Sequence, residues 1–331
     1  MKIRASIGTA AVLGLEKILL QAKPTTAYLL MYSETNCLSN CSFCPQAKES
    51  IGRKDGLSRV LWPVYELDAI IELLRSRKTG IKRICIQTVR YENSTEELLE
   101  IIKRIFENKI TTPLTVCCYP TRKEIFMKMK KFGVSRVGIS FDCATPELYD
   151  EIKGKKRGSS ISWELMEKSM QDAAEIFGSR FVSTHLIIGL GETEKEAVRF
   201  LQSFYDQNIT VGLFAFTPVK GTTLEKHLQP DIGSYRRIQL ARYLINIGKT
   251  TFSKMLFGGK GETRNRILDY GIKKEEIQQI ITYGKPFRTS GCPHCNRPYY
   301  NESPGKDLYN FPGELTEENV AVVRRSLFDL L

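Results

Sequence analysis

No apolar run in this chain reaches the roughly 18 residues of a membrane-spanning helix. Gly8 to Leu20 is only mildly apolar and Glu16 and Lys17 interrupt it, so no secretory signal is expected. There is no internal repeat beyond a β/α unit. There is no long block of like charge either: lysine and arginine are spread along the chain, and the basic balance alone does not establish nucleic-acid binding. The densest basic cluster, Lys153 to Arg157, contains Gly154 and reads as a surface loop.

What is present is a 331-residue chain with 42% hydrophobic and 26% charged residues, enough to bury a sizeable core and too polar to be fibrous. That length fits one large α/β domain or two modest ones. The net charge of +12 favours an acidic partner or an anionic cofactor. Nine cysteines without a targeting segment point to a reducing, cytoplasmic setting and to metal or catalytic use rather than disulfides.

Residues 27–33 read as a buried strand and 65–77 as a helix. Further strands are expected at 81–87, 112–118, 135–141, 181–188 and 210–216, with a possible seventh at 251–257. Helices are expected at 94–108, 122–132, 147–152, 161–176, up to about 207, and at 233–247, 261–270, 273–282 and 316–329. This is parallel-sheet alternation, which suits either a doubly wound sheet or a full or partial β/α barrel. Barrel sites sit at the C-terminal ends of strands. Cys85, Cys117, Asp142, Glu192 and Lys220 fall there on this reading, which favours the barrel. The glycine-, proline- and tyrosine-containing tail is expected over one end.

The strongest signal is Asn36-Cys37-Leu38-Ser39-Asn40-Cys41-Ser42-Phe43-Cys44-Pro45, a C-x3-C-x2-C run directly after the first strand. Three thiolates can hold three irons of a cubane cluster and leave the fourth iron open. Zinc would want a fourth ligand, and the nearest histidine in sequence is His185. Structural burial suits this polar loop poorly.

The spacing, with Phe43 just before the last cysteine, resembles the radical S-adenosylmethionine family. The resemblance covers roughly residues 25–260. It implies a partial or near-complete β/α barrel over 25–285, with a helical extension over 1–24 and a cluster-binding tail over 286–331. It also implies that S-adenosylmethionine chelates the open iron of a [4Fe-4S] cluster on Cys37, Cys41 and Cys44. One electron then yields a 5′-deoxyadenosyl radical that abstracts a substrate hydrogen.

The resemblance assigns further cofactor contacts. Ser140-Phe141-Asp142 matches the ribose position, with an Asx turn as the alternative for Asp142. Gly189-Leu190-Gly191-Glu192 matches the adenine-side motif, and Lys220-Gly221 a turn near the adenine. The usual Gly-Gly-Glu triplet is replaced by Gln87-Thr88-Val89-Arg90, so Gln87 or Thr88 is expected to hold the amino group and Arg90 a carboxylate. His185 is read either as core or as a substrate or cluster contact.

Against biotin synthase, Cys85 and Cys117 or Cys118 match two ligands of a second, sulfur-donating cluster. Ser183 stands where a third cysteine is expected, and 251–255 holds no arginine in register. The tail pair Cys292-Pro293-His294-Cys295 offers replacements, giving an expected cage of Cys85, Cys117, Cys292 and Cys295 around a second cluster of [4Fe-4S] type. Cys143 is an unligated alternative, and a shared zinc knuckle or a redox dithiol are alternatives for the tail pair.

The tail Asn296-Arg297-Pro298-Tyr299-Tyr300-Asn301-Glu302 is similar to that of two-component lipoyl synthases. No cysteine precedes Cys37, unlike the single-chain type. The resemblance implies sulfur insertion at C6 or C8 of an octanoyl group on a carrier-protein lysine. The implied partners are an octanoylated carrier protein or lipoyl domain, the second synthase component and an electron donor such as ferredoxin. No membrane or nucleic-acid partner is expected. A biotin synthase, a hydrogenase maturase, a methylornithine-synthase-like rearrangement and a zinc- or nucleic-acid-binding protein are the rival readings.

Overall fold

Side chains alternate between two environments along the central strands, as a strand period of two requires. The computed structural model describes residues 1–75, 79–261, 264–302 and 307–327. The strands in chain order are β1 (Lys2–Ala5), β2 (Thr26–Met31), β3 (Gly56–Leu57), β4 (Val60–Leu61), β5 (Val64–Glu66), β6 (Arg83–Gln87) and β7 (Leu114–Cys118). They continue with β8 (Val134–Ile139), β9 (Val182–Ile188), β10 (Thr210–Ala215), β11 (Leu256–Gly258) and β12 (Arg266–Asp269). Eight of them form one sheet in the order β10-β9-β8-β7-β6-β2-β1-β5. From β2 to β10 all neighbours are parallel, giving a six-stranded partial barrel, while β1 runs antiparallel to both β2 and β5.

One face of these strands is aliphatic. Ile84, Ile86, Val116, Val137 and Ile139 are fully buried. They share a core with Leu98, Ile101, Ile102 and Ile105, which recur at helical spacing on the helix Ser94–Glu107. Each such side chain contributes about 1.5–3 kcal/mol on burial. The other face carries Tyr28, Cys85, Thr115, Cys117, Ser183, His185 and Phe214, all lining one cavity. This inward polarity marks the interior as a site rather than a core.

The helices are α1 (Ile7–Val12), α2 (Leu67–Arg75), α3 (Ser94–Glu107), α4 (Lys123–Lys131), α5 (Pro146–Ile152) and α6 (Trp163–Phe177). They are followed by α7 (Glu194–Asp206), α8 (Ile232–Asn246), α9 (Lys274–Thr282) and α10 (Glu317–Ser326). Several start on side-chain caps. Thr145, Ser162 and Asp231 accept from N–H groups of α5, α6 and α8, and Thr193 with Glu196 forms a full capping box on α7. No helix among the described residues is long and apolar enough to cross a membrane.

Two expectations are corrected. Residues 1–24 are not simply a helical extension: Lys2–Ala5 joins the main sheet beside β2 with Ile3, Arg4 and Ala5 buried, and only Ile7–Val12 is helical. A four-residue strand is too short to show its period in the sequence. Nor does a seventh barrel strand follow α8. Residues 252–254 form a 3-10 turn, and β11 pairs antiparallel with β12, where a helix was expected over 261–270. Gly258, Gly259, Gly261 and Gly271 punctuate this stretch, which suits a hairpin better than a helix. Positions 76–77, 262–263 and 328–329 of the expected helices lie outside the described residues.

The tail bridges the partial barrel. The Thr25 N–H donates to Asn296 Oδ1 at 3.1 Å, and the Thr25 and Thr26 hydroxyls donate to His294 O. At the other edge the Leu213 N–H of β10 donates to Ser290 Oγ at 2.8 Å. Residues 290–296 therefore connect β10 with the start of β2.

Candidate active site

The first cysteine loop is held from several sides. The Cys37 N–H donates to Gln46 O at 2.7 Å, the Ser42 N–H to Ile152 O at 2.9 Å, and the Leu224 N–H to Ser42 O at 3.1 Å. The Asn36 amide donates to Lys48 O and Ser50 O, tying the loop's two ends together. Arg157 donates to Asn40 O at 3.1 Å.

Cys37, Cys41 and Cys44 ring one cavity with Gln87, Thr88 and Tyr119. Burial pushes the Cys41 thiol up to about 11 and raises Cys44 as well. Ionising them therefore needs a positively charged occupant, and binding it would release protons. Among the described residues no three His, Cys, Asp or Glu side chains close on a single point as one bare ion requires. Three thiols spaced around a cavity fit a polynuclear cluster.

Behind this loop lies an unexpected ion pair. Lys153 Nζ donates to Asp142 Oδ2 at 2.6 Å and to Ser140 O at 2.8 Å, with both side chains buried. Burial alone would lower the Lys153 pKa, but the neighbouring Asp142 and Cys41 outweigh it and hold it above the ordinary lysine value. The surface-loop reading of Lys153 is thus corrected: only the turn Lys155–Arg157 lies outside. Asp142 adopts a left-handed φ of +65°. Asp142 lines the cavity shared with Phe43 and Cys44.

The other expected cofactor residues divide. Phe43, Gln87 and Asp142 line the cavities, whereas Ser140, Gly189, Gly191, Glu192 and Lys220 lie outside both linings. Glu192 faces its own loop, accepting from the Gly189 N–H at 2.7 Å and the Leu190 N–H at 3.1 Å. Burial raises its pKa to about 7 against the pull of those two donors. Lys220 is exposed. Its neighbour Gly221 has φ +83°, and a Cβ there would sit 2.4 Å from Gly52 N, so glycine is required for the two loops to touch. Ser140 Oγ lies 2.9 Å from His185 Nδ1, fixing the imidazole that lines the cavity. Arg90 donates to Ser39 Oγ rather than standing free for a carboxylate.

The cavity runs from Phe43 and Cys44 down to four further cysteines, Cys85, Cys117, Cys292 and Cys295. Cys85 and Cys117 lie within β6 and β7, not at their ends, with their sulfurs 3.8 Å apart. A hydrogen bond from Cys85 holds Cys117 well below the ordinary thiol range despite burial, helped by His185 and Arg297, while Cys85 is raised. Cys292 Sγ lies 3.9 Å from Ser183 Oγ, and Cys295 Sγ lies 3.5 Å from Tyr28 Oη. Cys118 packs on the opposite, aliphatic face, and Cys143 is fully buried in the same core.

Two buried arginines beside this cage escaped the sequence reading. Arg83 donates to Thr115 Oγ1 at 2.8 Å and to Pro293 O at 3.0 Å. Arg297 donates to Ser290 O and Leu213 O and stacks 3.8 Å from the Phe214 ring centroid. Arginine is rarely buried, so only the tail's return into the barrel could reveal it.

A family model described as the Radical SAM superfamily matches residues 32–204. A biotin synthase of Sulfurihydrogenibium sp. (strain YO3AOP1) is 26% identical over 216 residues, 62% of this chain and 60% of that protein. A lipoyl synthase of Haemophilus influenzae is 31% identical over 99 residues, 30% of this chain and 25% of that protein. The match thus spans about 60% of the length of the biotin synthase. Among solved structures, a methylornithine synthase has a TM-score of 0.51 at 14% identity, covering 67% of this chain and 62% of its own. The FeFe-hydrogenase maturase of Carboxydothermus hydrogenoformans has a TM-score of 0.51 at 18% identity, covering 82% and 69%. At such identities these two share the fold alone.

Proposed function

The chain belongs to the radical SAM superfamily, and from that premise we propose that it inserts sulfur into an unactivated alkyl chain, as a lipoyl-synthase component acting at C6 or C8 of an octanoyl group on a carrier lysine. One observation carries this reading: a single cavity is lined by Cys44 and by Cys85, Cys117, Cys292 and Cys295, and most of its surface is apolar. Leu57, Ile187, Phe214, Ala215 and Phe216 contribute to that surface. Its charged members already have partners: Asp142 is paired with Lys153, while Arg83 and Arg297 donate to protein oxygens. An aliphatic chain fits such a lining without an ionic anchor.

When bound, S-adenosylmethionine and the first cluster supply the one-electron chemistry that removes a hydrogen atom, and the second cluster supplies sulfur. The residues of this chain bind, orient and exclude water. Cys37, Cys41 and Cys44 would hold the first cluster, and Cys85, Cys117, Cys292 and Cys295 the second. Asp142 would accept from the ribose hydroxyls, with Phe43 and Gln87 lining the same space. The apolar walls hold the chain between the two clusters, where orientation does most to lower the barrier. The +12 charge suits an acidic octanoylated carrier or lipoyl domain. The second synthase component and a ferredoxin-like electron donor complete the proposed partners.

The test is iron and sulfide analysis with Mössbauer spectroscopy on anaerobically reconstituted protein, beside the Cys292→Ala/Cys295→Ala variant. About eight irons falling to about four supports two four-iron clusters. An octanoyl-lysyl peptide should then gain sulfur only with the wild type. Four irons in both proteins would overturn the reading and favour a rearrangement enzyme.

A further inference from the structure

The Cys37 sulfur is the most heavily hydrogen-bonded of the first three thiols. The Ser39 N–H reaches it at 3.4 Å and the Arg90 N–H at 3.3 Å. Tyr119 Oη lies 3.5 Å from the same sulfur. The two backbone donors are fixed by the loop, but the third is a side chain from a different strand. Tyr119 directly follows β7, so the strand that places Cys117 in the lower cage also places this hydroxyl at the upper site. The Arg90 guanidinium carbon stands 5.5 Å from the Tyr119 ring centroid. A cation over the ring draws electron density from the phenol and makes its O–H a stronger donor.

We propose that Tyr119 is a positioning and tuning residue whose hydroxyl, donating to the Cys37 sulfur, raises the reduction potential of the cluster held by Cys37, Cys41 and Cys44. Donors to a ligand sulfur stabilise the more negative, reduced state, and hydrogen bonds to sulfur are one of the protein's main levers on potential. The effect matters because this cluster must accept an electron before any hydrogen can be abstracted. The inference rests on family membership and not on the octanoyl substrate.

The test is an anaerobic redox titration followed by electron paramagnetic resonance, on reconstituted full-length protein. The first cluster is identified as the one whose signal responds to S-adenosylmethionine. Tyr119→Phe keeps the ring and removes the donor, and it should shift this cluster to lower potential with iron and sulfide content unchanged. Replacing Tyr119 by 3-fluorotyrosine keeps ring and hydroxyl but strengthens the donor, and should shift the potential upward. The second cluster's potential should stay put in both. Unchanged first-cluster potentials in both proteins would overturn the proposal. If Tyr119→Phe fails to assemble the cluster, the fluorotyrosine protein decides alone, and an unshifted potential there overturns it.

Discussion

Lys153 and Asp142 form an ion pair of 2.6 Å beneath the first cysteine loop, with side-chain exposures of only 7% and 11%. Removing one partner of a buried pair strands the other charge, which typically costs 3–5 kcal/mol, while removing both is far milder. Lys153→Met should therefore lower stability by about 3–5 kcal/mol. Lys153→Met/Asp142→Asn should recover most of that, since asparagine also tolerates the left-handed φ of +65°. Urea unfolding of the three proteins checks this; equal losses in the single and double variants would refute an electrostatic role.

Glu192 should make stability depend on pH. Its folded pKa of about 7 lies above the 4.5 of a free glutamate, so the folded state holds an extra proton between those values. The associated stability is fully present below the unfolded pKa and is lost as pH rises through the folded one. Across that window the loss is roughly 3 kcal/mol. Glu192→Gln does not titrate. The wild type's advantage over it should shrink from about pH 5 to about pH 8, by an amount of this order. Denaturation of both proteins at the two pH values tests the sign; parallel stabilities would show that Glu192 does not titrate in this range.

The sequence made the β/α alternation legible because helices such as α2, α3 and α7 carry strong amphipathic periodicity and the six parallel strands carry apolar runs. It made the first cluster legible because all three cysteines sit within one short loop, where spacing is geometry. The second cage was harder. Cys85 and Cys292 are over two hundred positions apart, and only the tail's return into the barrel brings Cys292 beside Ser183. Lys153 reads as surface in the sequence because a basic run is ordinarily solvated. Nothing local distinguishes the one lysine that turns inward to Asp142 from Lys155 and Lys156 beside it.

Gly138 on β8 makes room for the lower cage. A Cβ there would lie 3.1 Å from Ser183 Oγ and 3.2 Å from Cys117 Sγ, closer than ordinary packing allows. Gly138→Val adds two further methyl groups at the same point, against a well-packed wall. It should displace Cys117 and lower reconstituted iron from about eight to about four per chain. The S-adenosylmethionine-responsive signal should survive, because the first loop is not in contact. Full iron content in Gly138→Val would remove Cys117 from the cage.

Arg297 should be what locks the tail onto the barrel. Its guanidinium donates to Leu213 O at 3.1 Å and to Ser290 O at 2.8 Å, and its carbon sits over the Phe214 ring at 3.8 Å from the centroid. Burial opposes its charge, but Cys295 and nearby tyrosines keep its pKa above the ordinary value. Lysine cannot reproduce this. Its ammonium is a point charge without the planar fork, so it can satisfy one carbonyl but not stack and bridge both. Hydrogen bonds from a charged donor contribute about 1.5–3 kcal/mol each, and a desolvated cation–π contact about 2 kcal/mol. Arg297→Lys should therefore destabilise the tail by at least about 2 kcal/mol, the larger share falling on local opening. Hydrogen exchange should reveal it as faster exchange at Leu213 and over 290–297, with α3 and β6 protected as before. Uniformly faster exchange across the barrel would instead make Arg297 part of the global core, and unchanged exchange at Leu213 would show that Ser290 alone holds the seam.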